Sequence, residues 1–314
     1  MRDLPKNYQI VSGYNLDYAK AYMHTEINWL TSLEELRNLY MCEGLTESVI
    51  EIFQTLIWDY YYLHERKFPW RETANPYQIL VSEIMLQQTQ AIRVVPKYLA
   101  FLSRFPTAEA LAVAPVSELL EAWQGLGYNR RCLALQRAVR QIVNEQAGVF
   151  PDNPQELERL PGIGPYTAAA LGAFAFQKPT IVLETNIRRV YIQAFFEQEV
   201  AVNDQEIKPF IAATLVLDSP RLWYYALMDF GHNLVRLVPN PNARSVHYAK
   251  QSKFEGSHRQ VRGKILRLLL GGHQSIAQLA HSLEINSLEL QTTLGELRLE
   301  GFIVLQDTEV SLAN

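Results

Sequence analysis

Two glutamates of this 314-residue chain lie in segments that could support acid–base chemistry. Glu83 lies among apolar residues in ILVSEIMLQQTQ, and a carboxyl group in such surroundings can hold a proton to near-neutral pH and then donate it. Glu184, in PTIVLETNIRRV, begins a predicted helix that carries Arg188 and Arg189. A carboxylate there could supply fixed negative charge. Each residue also has a purely structural interpretation, as an exposed edge residue or as a favoured helix-start residue.

A turn rich in glycine separates two further predicted helices, one ending at Leu160 and the next beginning near Pro165. Its inner residues are Pro161, Gly162, Ile163 and Gly164. The start of a helix leaves backbone N–H groups unpaired, and glycines let an anion approach them, while Ile163 could anchor the turn among its neighbours. A plain helix–helix turn is the alternative interpretation.

The elements that must position these residues are helices. Apolar residues recur at helical spacing in SVIEIFQTLIWDYYYL, SELLEAWQGL and CLALQRAVRQIV, and alternating strand-like stretches are scarce. Pro76, Thr107 and Pro154 mark helix starts. The segment 238–258 is rich in proline and asparagine, which predicts an irregular connector before a second domain.

Composition limits the class of protein. The chain is 48% hydrophobic with a net charge of −4, which predicts a globular protein of about two domains and argues against a nonspecific polycation. Two distant cysteines predict no disulfide framework, and the longest apolar run is too short for a membrane helix. We therefore expect a cytoplasmic protein. Residues 128–193 nevertheless carry eight basic and five acidic residues, a local charge of +3.

Five motifs carry a resemblance to a known family. They are FPWRETANPYQILVSEIMLQQTQAIRVVPKY, WQGLGYNRR, LPGIGPYTAAALGAFAF, VLETNIRRV and ALMDFG. In this order, over residues 48–255, they resemble the MutY-type adenine DNA glycosylases of the helix-hairpin-helix (HhH-GPD) superfamily. The resemblance implies double-stranded DNA as partner and hydrolysis of the N-glycosidic bond of a base rotated out of the duplex.

The resemblance also implies roles for single residues. Glu83 takes the place of the general acid that protonates the flipped adenine, and Glu184 that of the carboxylate that stabilises the oxocarbenium-like sugar. Asn186 matches the neighbouring asparagine of the family. Tyr166 stands where lyase-active relatives such as endonuclease III carry a lysine, so no AP lyase activity is expected. These roles agree with elementary chemistry, because adenine is a poor leaving group until a ring nitrogen is protonated.

The implied DNA contacts fall into two groups. Gln87, Gln88 and Tyr128 match residues that enter or support the space left by the flipped base, and the Pro161–Gly164 turn matches the hairpin that holds phosphates without reading sequence. Further expected DNA contacts are Thr89, Arg130 and Arg188.

The chain departs from the family at the catalytic carboxylate and at the metal. The family has aspartate where this chain has Glu184, and the extra methylene adds roughly 1.5 Å of reach. A catalytically weakened or inactive DNA-binding protein is therefore a second hypothesis, and a glycosylase for another damaged base is a third. The family's four iron–sulfur cysteines, spaced Cys-x6-Cys-x2-Cys-x5-Cys, are replaced by Val235, Asn242, Ser245 and Gln251. We therefore expect no metal and no cofactor.

The C-terminal segment departs as well, since it is too short for the Nudix-like domain of many family members. It predicts helices at 260–270, 275–283 and 287–300 followed by two strands, a winged-helix-like pattern. The third helix carries three glutamates and one arginine, a charge of −2 that should repel phosphate. Basic residues lie instead on the first helix, at Arg259, Arg262, Lys264 and Arg267. Contact with DNA and contact with a protein both stay open.

The predicted fold class is all-α, a two-lobed helix-hairpin-helix glycosylase fold with a small C-terminal winged-helix-like (α+β) module. The predicted domains are a helical extension (1–46), a barrel lobe (73–185), a second lobe (47–72 with 186–256) and the module (257–314). The predicted function is that of a monofunctional DNA glycosylase of base excision repair that acts on adenine or a related purine. We expect a nucleoid-associated monomer.

Overall fold

The computed structural model describes residues 28–249 and 253–313 of the chain, which are mostly helical. The α-helices in these ranges are α1 (Trp29–Glu43), α2 (Glu47–His64), α3 (Pro76–Leu86), α4 (Ala91–Arg104), α5 (Ala108–Val113), α6 (Val116–Trp123), α7 (Arg130–Glu145), α8 (Pro154–Leu157), α9 (Pro165–Phe174), α10 (Thr185–Phe195), α11 (Asp204–Thr214), α12 (Pro220–Leu237), α13 (His258–Leu270), α14 (Ile276–Leu283) and α15 (Ser287–Glu300). Two 3₁₀ turns, Pro69–Arg71 and Pro241–Arg244, and three short strands accompany them.

Local capping explains where several helices begin. The Asn75 side chain accepts hydrogen bonds from the backbone N–H groups of Tyr77 and Gln78, and Pro76 occupies the first position of α3. Thr107 caps α5 through the N–H of Ala110, as predicted. These signals are local, so they can be read from sequence.

The chain forms two compact units. Among the described residues, the first unit comprises 28–67 and 172–249, and the second comprises 68–171 and 253–313. In the described part of the first unit, buried aromatic rings form the core. Phe53 lies 5.1 Å from Phe195 and 6.0 Å from Trp223 between ring centroids. Such tilted and edge-on contacts add to the free energy of burial.

Close packing of α12 against α10 depends on Gly231. A Cβ atom at this position would collide with the carbonyl oxygen of Asn186. The Gly231→Ala variant should therefore lose about 1–3 kcal/mol of unfolding free energy, because backbone atoms must move to admit the methyl group. Urea denaturation measures this loss. Gly263→Ala, on α13 where a Cβ meets open space, is the matched control and should be neutral or stabilising. Equal stability of the two variants would contradict the packing argument.

The second unit contains Glu83, the glycine turn and the C-terminal module. Its core includes fully buried Phe101 and Trp123. Helix α8 ends at Leu157, three residues before the predicted end, and turns with i to i+3 hydrogen bonds continue to Leu160. Pro161 prevents the helix from continuing, because it has no N–H to donate to the Leu157 carbonyl and because Leu160, the residue before it, avoids the α conformation.

The C-terminal module, residues 257–314, contains α13, α14 and α15 with strands β1 (Gln274–Ser275), β2 (Ile303–Gln306) and β3 (Glu309–Leu312). The strands are antiparallel in the order β1-β3-β2, with Leu305 opposite Val310. The three helices lie within two residues of their predicted bounds. The order helix, strand, helix, helix, strand, strand is that of a winged helix.

Among the described residues, no helix combines the length and hydrophobicity needed to cross a bilayer. Helix α1 falls within the predicted N-terminal extension (1–46), and the part of that prediction on residues 1–27 lies outside the described residues.

Candidate active site

Glu83 is buried on α3, with 6% of its surface exposed. Its helix neighbours Val81, Ile84 and Met85 are also buried. The Tyr166 hydroxyl donates a hydrogen bond of 3.0 Å to Glu83 Oε2. Burial limits contact with bulk water, and the tyrosine fixes one oxygen, so the carboxyl group is held in one orientation. The sequence predicted both residues, and the structure brings them together.

A polar loop, Gln87 to Thr89, follows the end of α3 at Leu86. Gln88 adopts a left-handed conformation, with φ of 54°. Gln87 Nε2 donates to Thr167 Oγ1 at 3.5 Å, and Thr89 Oγ1 donates to the Gln87 carbonyl at 3.3 Å. The loop 87–89 thus has a defined shape in the second unit.

Arg131 holds this loop, a role that no sequence motif indicated. Its Nη1 donates to the carbonyl oxygens of Ile84, at 2.9 Å, and of Met85 and Gln87, at the C-terminal end of α3. Its Nη2 donates to the Leu126 and Gly127 carbonyls. A cation at a helix C-terminus is electrostatically favourable. Burial lowers the pKa of Arg131 to about 10, which leaves it charged at neutral pH.

Loss of Arg131 should therefore destabilise the protein. Arg131→Ala leaves several part-buried carbonyl oxygens without their donor, and we expect a loss of about 2–4 kcal/mol in unfolding free energy. Urea denaturation checks this value. Arg159→Ala, an exposed arginine of the same unit, should change stability by less than about 0.5 kcal/mol. A loss below about 1 kcal/mol at position 131 would refute the bridging role.

The glycine turn has the features that anion approach requires. Ile163 is 4% exposed and fixes the turn in the second unit. Gly162 has φ of 74°, and a Cβ there would lie 2.5 Å from Ala134 Cβ. A Cβ at Gly164 would instead meet open space. Of the two glycines, only Gly164 leaves its backbone open to a ligand, and it lies next to the start of α9.

In the first unit, Glu184 caps α10. Its Oε1 accepts hydrogen bonds from the backbone N–H groups of Asn186, at 2.7 Å, and Ile187, at 2.9 Å. Its Oε2 accepts one from Asn186 Nδ2 at 3.1 Å. Aspartate is the usual carboxylate at a helix cap, and the longer glutamate bends back to make the same contacts. Both oxygens are thus held in place.

A second layer of contacts orients Asn186. Arg189 Nη1 donates to Asn186 Oδ1 at 2.8 Å, and Arg189 Nε donates to Asn240 Oδ1 at 3.2 Å. Burial raises the pKa of Glu184, while the two backbone hydrogen bonds and the charges of Arg189 and Arg188 oppose the rise. The carboxylate is therefore harder to keep ionised than one in water.

Two arginines predicted to contact DNA already have acidic partners. Arg188 makes a bidentate ion pair with Asp204, with N–O distances of 2.6 and 2.8 Å. Arg130 pairs with Glu300 at 2.5 Å, although its side chain is 66% exposed. Their contact with DNA stays a prediction, and it requires them to exchange or share these partners.

The segment that would hold an iron–sulfur cluster does not fit one. Asn242 is buried and donates through Nδ2 to the Thr185 carbonyl, and the buried Ser245 pairs through its backbone with Val202. Val235 carries no metal-binding atom, and Gln251 lies outside the described residues. Within 28–249 and 253–313, no group of three or more His, Cys, Asp or Glu could hold a metal ion. Arg244 instead ties this segment to the Phe196 carbonyl at 2.6 Å.

Comparisons with known proteins agree with this architecture. The family described as "HhH-GPD superfamily base excision DNA repair protein" matches residues 81–208. An adenine DNA glycosylase of Mycolicibacterium smegmatis is 36% identical over 227 residues, which are 67% of this chain and 78% of that protein. One of Buchnera aphidicola subsp. Baizongia pistaciae is 33% identical over 198 residues, 62% of this chain and 55% of that protein. The chain thus spans little more than half of the second relative.

Solved structures give the same class. A thermostable thymine-DNA glycosylase is 29% identical with a TM-score of 0.53, and the match covers 58% of this chain and 85% of that one. The chain belongs to the HhH-GPD superfamily of base excision DNA repair glycosylases. Its relatives place it in the MutY-type, adenine DNA glycosylase branch. The predicted fold class is confirmed.

Proposed function

We propose that this protein is a monofunctional DNA glycosylase that removes adenine from a mispair in duplex DNA. The observation that carries the proposal is Glu83, a carboxyl group buried on α3 and oriented by the Tyr166 hydroxyl, at the position of the family's general acid. Relatives at 33% and 36% identity are adenine DNA glycosylases, which supports adenine as the base.

The reaction would use the two glutamates in different protonation states. The Glu83 carboxyl group gives its proton to a ring nitrogen of the flipped adenine, and the bond between the base and C1′ breaks with its electron pair on the base. Positive charge develops on the sugar, and the Glu184 carboxylate stabilises it. Water then adds to C1′ and releases a proton, so the products are free adenine and an abasic site.

Tyr166 supports hydrolysis without strand cleavage. A lyase needs an amine that forms a Schiff base with C1′. At position 166 this chain has a phenol, and its hydroxyl is engaged with Glu83. We propose that no covalent enzyme–DNA complex can be trapped with borohydride, and that strands break only after hot alkali.

DNA would be held by main-chain and polar side-chain contacts. Gly164 and the start of α9 would bind a phosphate, because no side chain blocks that backbone. The loop 87–89 and Tyr128 would occupy or line the space left by the flipped base. Their contacts would offset the few kcal/mol that it costs to rotate the base out of the stack. Arg130 and Arg188 would each bind a phosphate by sharing or exchanging their acidic partners.

The test is a panel of duplexes treated with the protein and then with hot alkali. It contains adenine opposite 8-oxoguanine or guanine, thymine opposite guanine, hypoxanthine, uracil and an alkylated purine. We expect breaks at adenine alone. Breaks at thymine would assign another base, a possibility that the thymine-DNA glycosylase neighbour makes worth testing. Tight binding that leads to no strand breaks on any duplex would favour a lesion-binding protein.

We also propose that the protein acts as a monomer at the nucleoid. A single elution volume in size-exclusion chromatography, corresponding to 36.0 kDa at all concentrations, is the expected result. A volume that shifts with concentration would contradict it.

A further inference from the structure

The C-terminal module contacts Tyr128 in the loop 124–129 between α6 and α7, for which the family resemblance implies DNA binding; we refer to it as the DNA-binding loop. Arg259, in the first turn of α13, donates a hydrogen bond from Nη1 to the Tyr128 hydroxyl. Its guanidinium carbon lies 5.0 Å from the centroid of the Tyr128 ring, and that of Arg131 lies 5.4 Å away. Both distances are within the range of cation–π attraction. One tyrosine is therefore contacted by two arginines, one from the lobe and one from the module.

The backbone around Tyr128 needs such support. Gly125, Gly127 and Tyr128 all have positive φ, of 86°, 69° and 48°. This conformation is unfavourable for a tyrosine and persists only where surrounding contacts hold it. Trp123 Nε1 and Arg131 Nη2 both donate to the Gly127 carbonyl at 3.1 Å and hold the glycines. The tyrosine hydroxyl, at the far end of the ring, is held by Arg259.

Arg259 lies in the first turn of α13. A cation in the first turn of a helix opposes the helix dipole. The first turn of α13 contains no acidic residue that would compensate it. The contacts with the Tyr128 hydroxyl and ring favour a cation at this position.

The acidic helix of the module faces the lobe. Glu300 pairs with Arg130 of the lobe at 2.5 Å. Within the module, Arg262 of α13 pairs with Glu300 at 2.5 Å and with Glu296 at 2.8 Å. Arg137 Nη2 also donates to the Glu300 carbonyl at 2.5 Å. Glu300 thus helps to seat the module on the lobe through Arg130 and Arg137, and this seating brings α13 to Tyr128.

We propose that the C-terminal module is a support for the DNA-binding loop, in which Arg259 is a positioning residue that holds Tyr128 ready to enter duplex DNA. Helix α15 serves to dock the module and does not read DNA. The proposal rests on the proposed function in taking duplex DNA as the ligand and Tyr128 as a residue that enters the space left by the flipped base.

Binding without catalysis gives the cleanest test. The probe is a fluorescent duplex with a tetrahydrofuran abasic-site analogue opposite 8-oxoguanine, and fluorescence anisotropy gives the Kd. Arg259→Ala and Tyr128→Phe should each raise the Kd about three- to tenfold. The double variant should raise it no more than the stronger single variant, because both remove one interaction. Arg259→Lys, which keeps a donor, should retain most of the affinity.

Controls separate positioning from the alternatives. Arg298→Ala removes an exposed arginine of α15, the helix that is proposed not to read DNA, and should leave the Kd unchanged. The dependence of log Kd on log salt should be the same for Arg259→Ala as for the wild type, whereas a slope reduced by about one would mean that Arg259 itself binds a phosphate. The proposal would be overturned by such a reduced slope or by an unchanged Kd in Arg259→Ala. It would also be overturned if the Kd of the double variant rose by the product of the two single effects, or if the wild type did not bind the duplex. A wild type that binds the duplex but releases no base would contradict the proposed function and leave the present proposal unaffected.

Discussion

Glu83→Gln is expected to lower the single-turnover rate of adenine release about a thousandfold. Glutamine keeps the shape of the side chain and can still accept the hydrogen bond from Tyr166, but it has no acidic proton to give to the base. General acid catalysis contributes about 10² to 10⁴ in rate, and adenine leaves poorly without it. The measurement is a quenched-flow or manual time course on adenine opposite 8-oxoguanine, with enzyme in excess.

Two observations make this result specific. The Kd for the tetrahydrofuran duplex should stay within about threefold of the wild type, so that the lost rate is a loss of chemistry. Tyr166→Phe, which keeps the acid and removes the hydroxyl that orients it, should lose about tenfold in rate. A Glu83→Gln variant that retains more than a tenth of the wild-type rate would show that another group protonates the base.

The second large effect is expected for Glu184→Gln, which should lower the same rate about a hundred- to thousandfold. The amide oxygen can still accept from the N–H groups of Asn186 and Ile187, so the cap of α10 is largely kept while the negative charge is lost. The amide nitrogen, however, would face the donor Asn186 Nδ2 in place of an acceptor. Thermal unfolding should show a small loss of stability, and the rate should show the larger loss.

Substitution of Glu184 also tests how the extra methylene of glutamate affects the rate of base release. Glu184→Asp restores the family's residue and can cap the helix. A faster rate would mean that the glutamate slows the enzyme, and a slower rate would mean that the site is built around it. A Glu184→Gln variant with wild-type rate would remove this carboxylate from the mechanism.

The pH dependence follows from the raised pKa of Glu184. Its role requires the ionised form, so the rate should fall as pH drops through a pKa above the ordinary 4.5 of a glutamate. In Glu184→Gln this acid limb should disappear. Persistence of the limb in that variant would assign it to another group.

Much of the fold is legible in the sequence because it depends on local signals. Asn75 and Pro76 mark the start of α3, and the periodicity of the C-terminal segment predicts all three helices of the module. The family resemblance gives Glu83 and Tyr166 separate roles and does not predict the hydrogen bond between them. No rule of spacing brings together residues that are 83 positions apart.

The parts that sequence did not predict are long-range polar contacts. Arg131 and Arg130 are adjacent and chemically identical, yet one is part-buried against the carbonyl end of α3 and the other pairs with Glu300. Which of the two arginines points inward depends on how α7 packs in the core. Cys132, the residue after Arg131 on this helix, is fully buried. The contact of Arg259 with Tyr128 joins positions 131 residues apart, and only the docked module creates it.

The central claim is that one extrahelical nucleotide is acted on by both Glu83 and Glu184. A crystal structure of the Glu83→Gln variant bound to a duplex with adenine opposite 8-oxoguanine tests it most directly. We predict an adenine rotated out of the helix, with the side chain at position 83 within about 3 Å of a ring nitrogen and the Glu184 carboxylate beside the same sugar. An adenine that stays stacked in the duplex, or a flipped nucleotide that contacts only one of the two side chains, would contradict the claim.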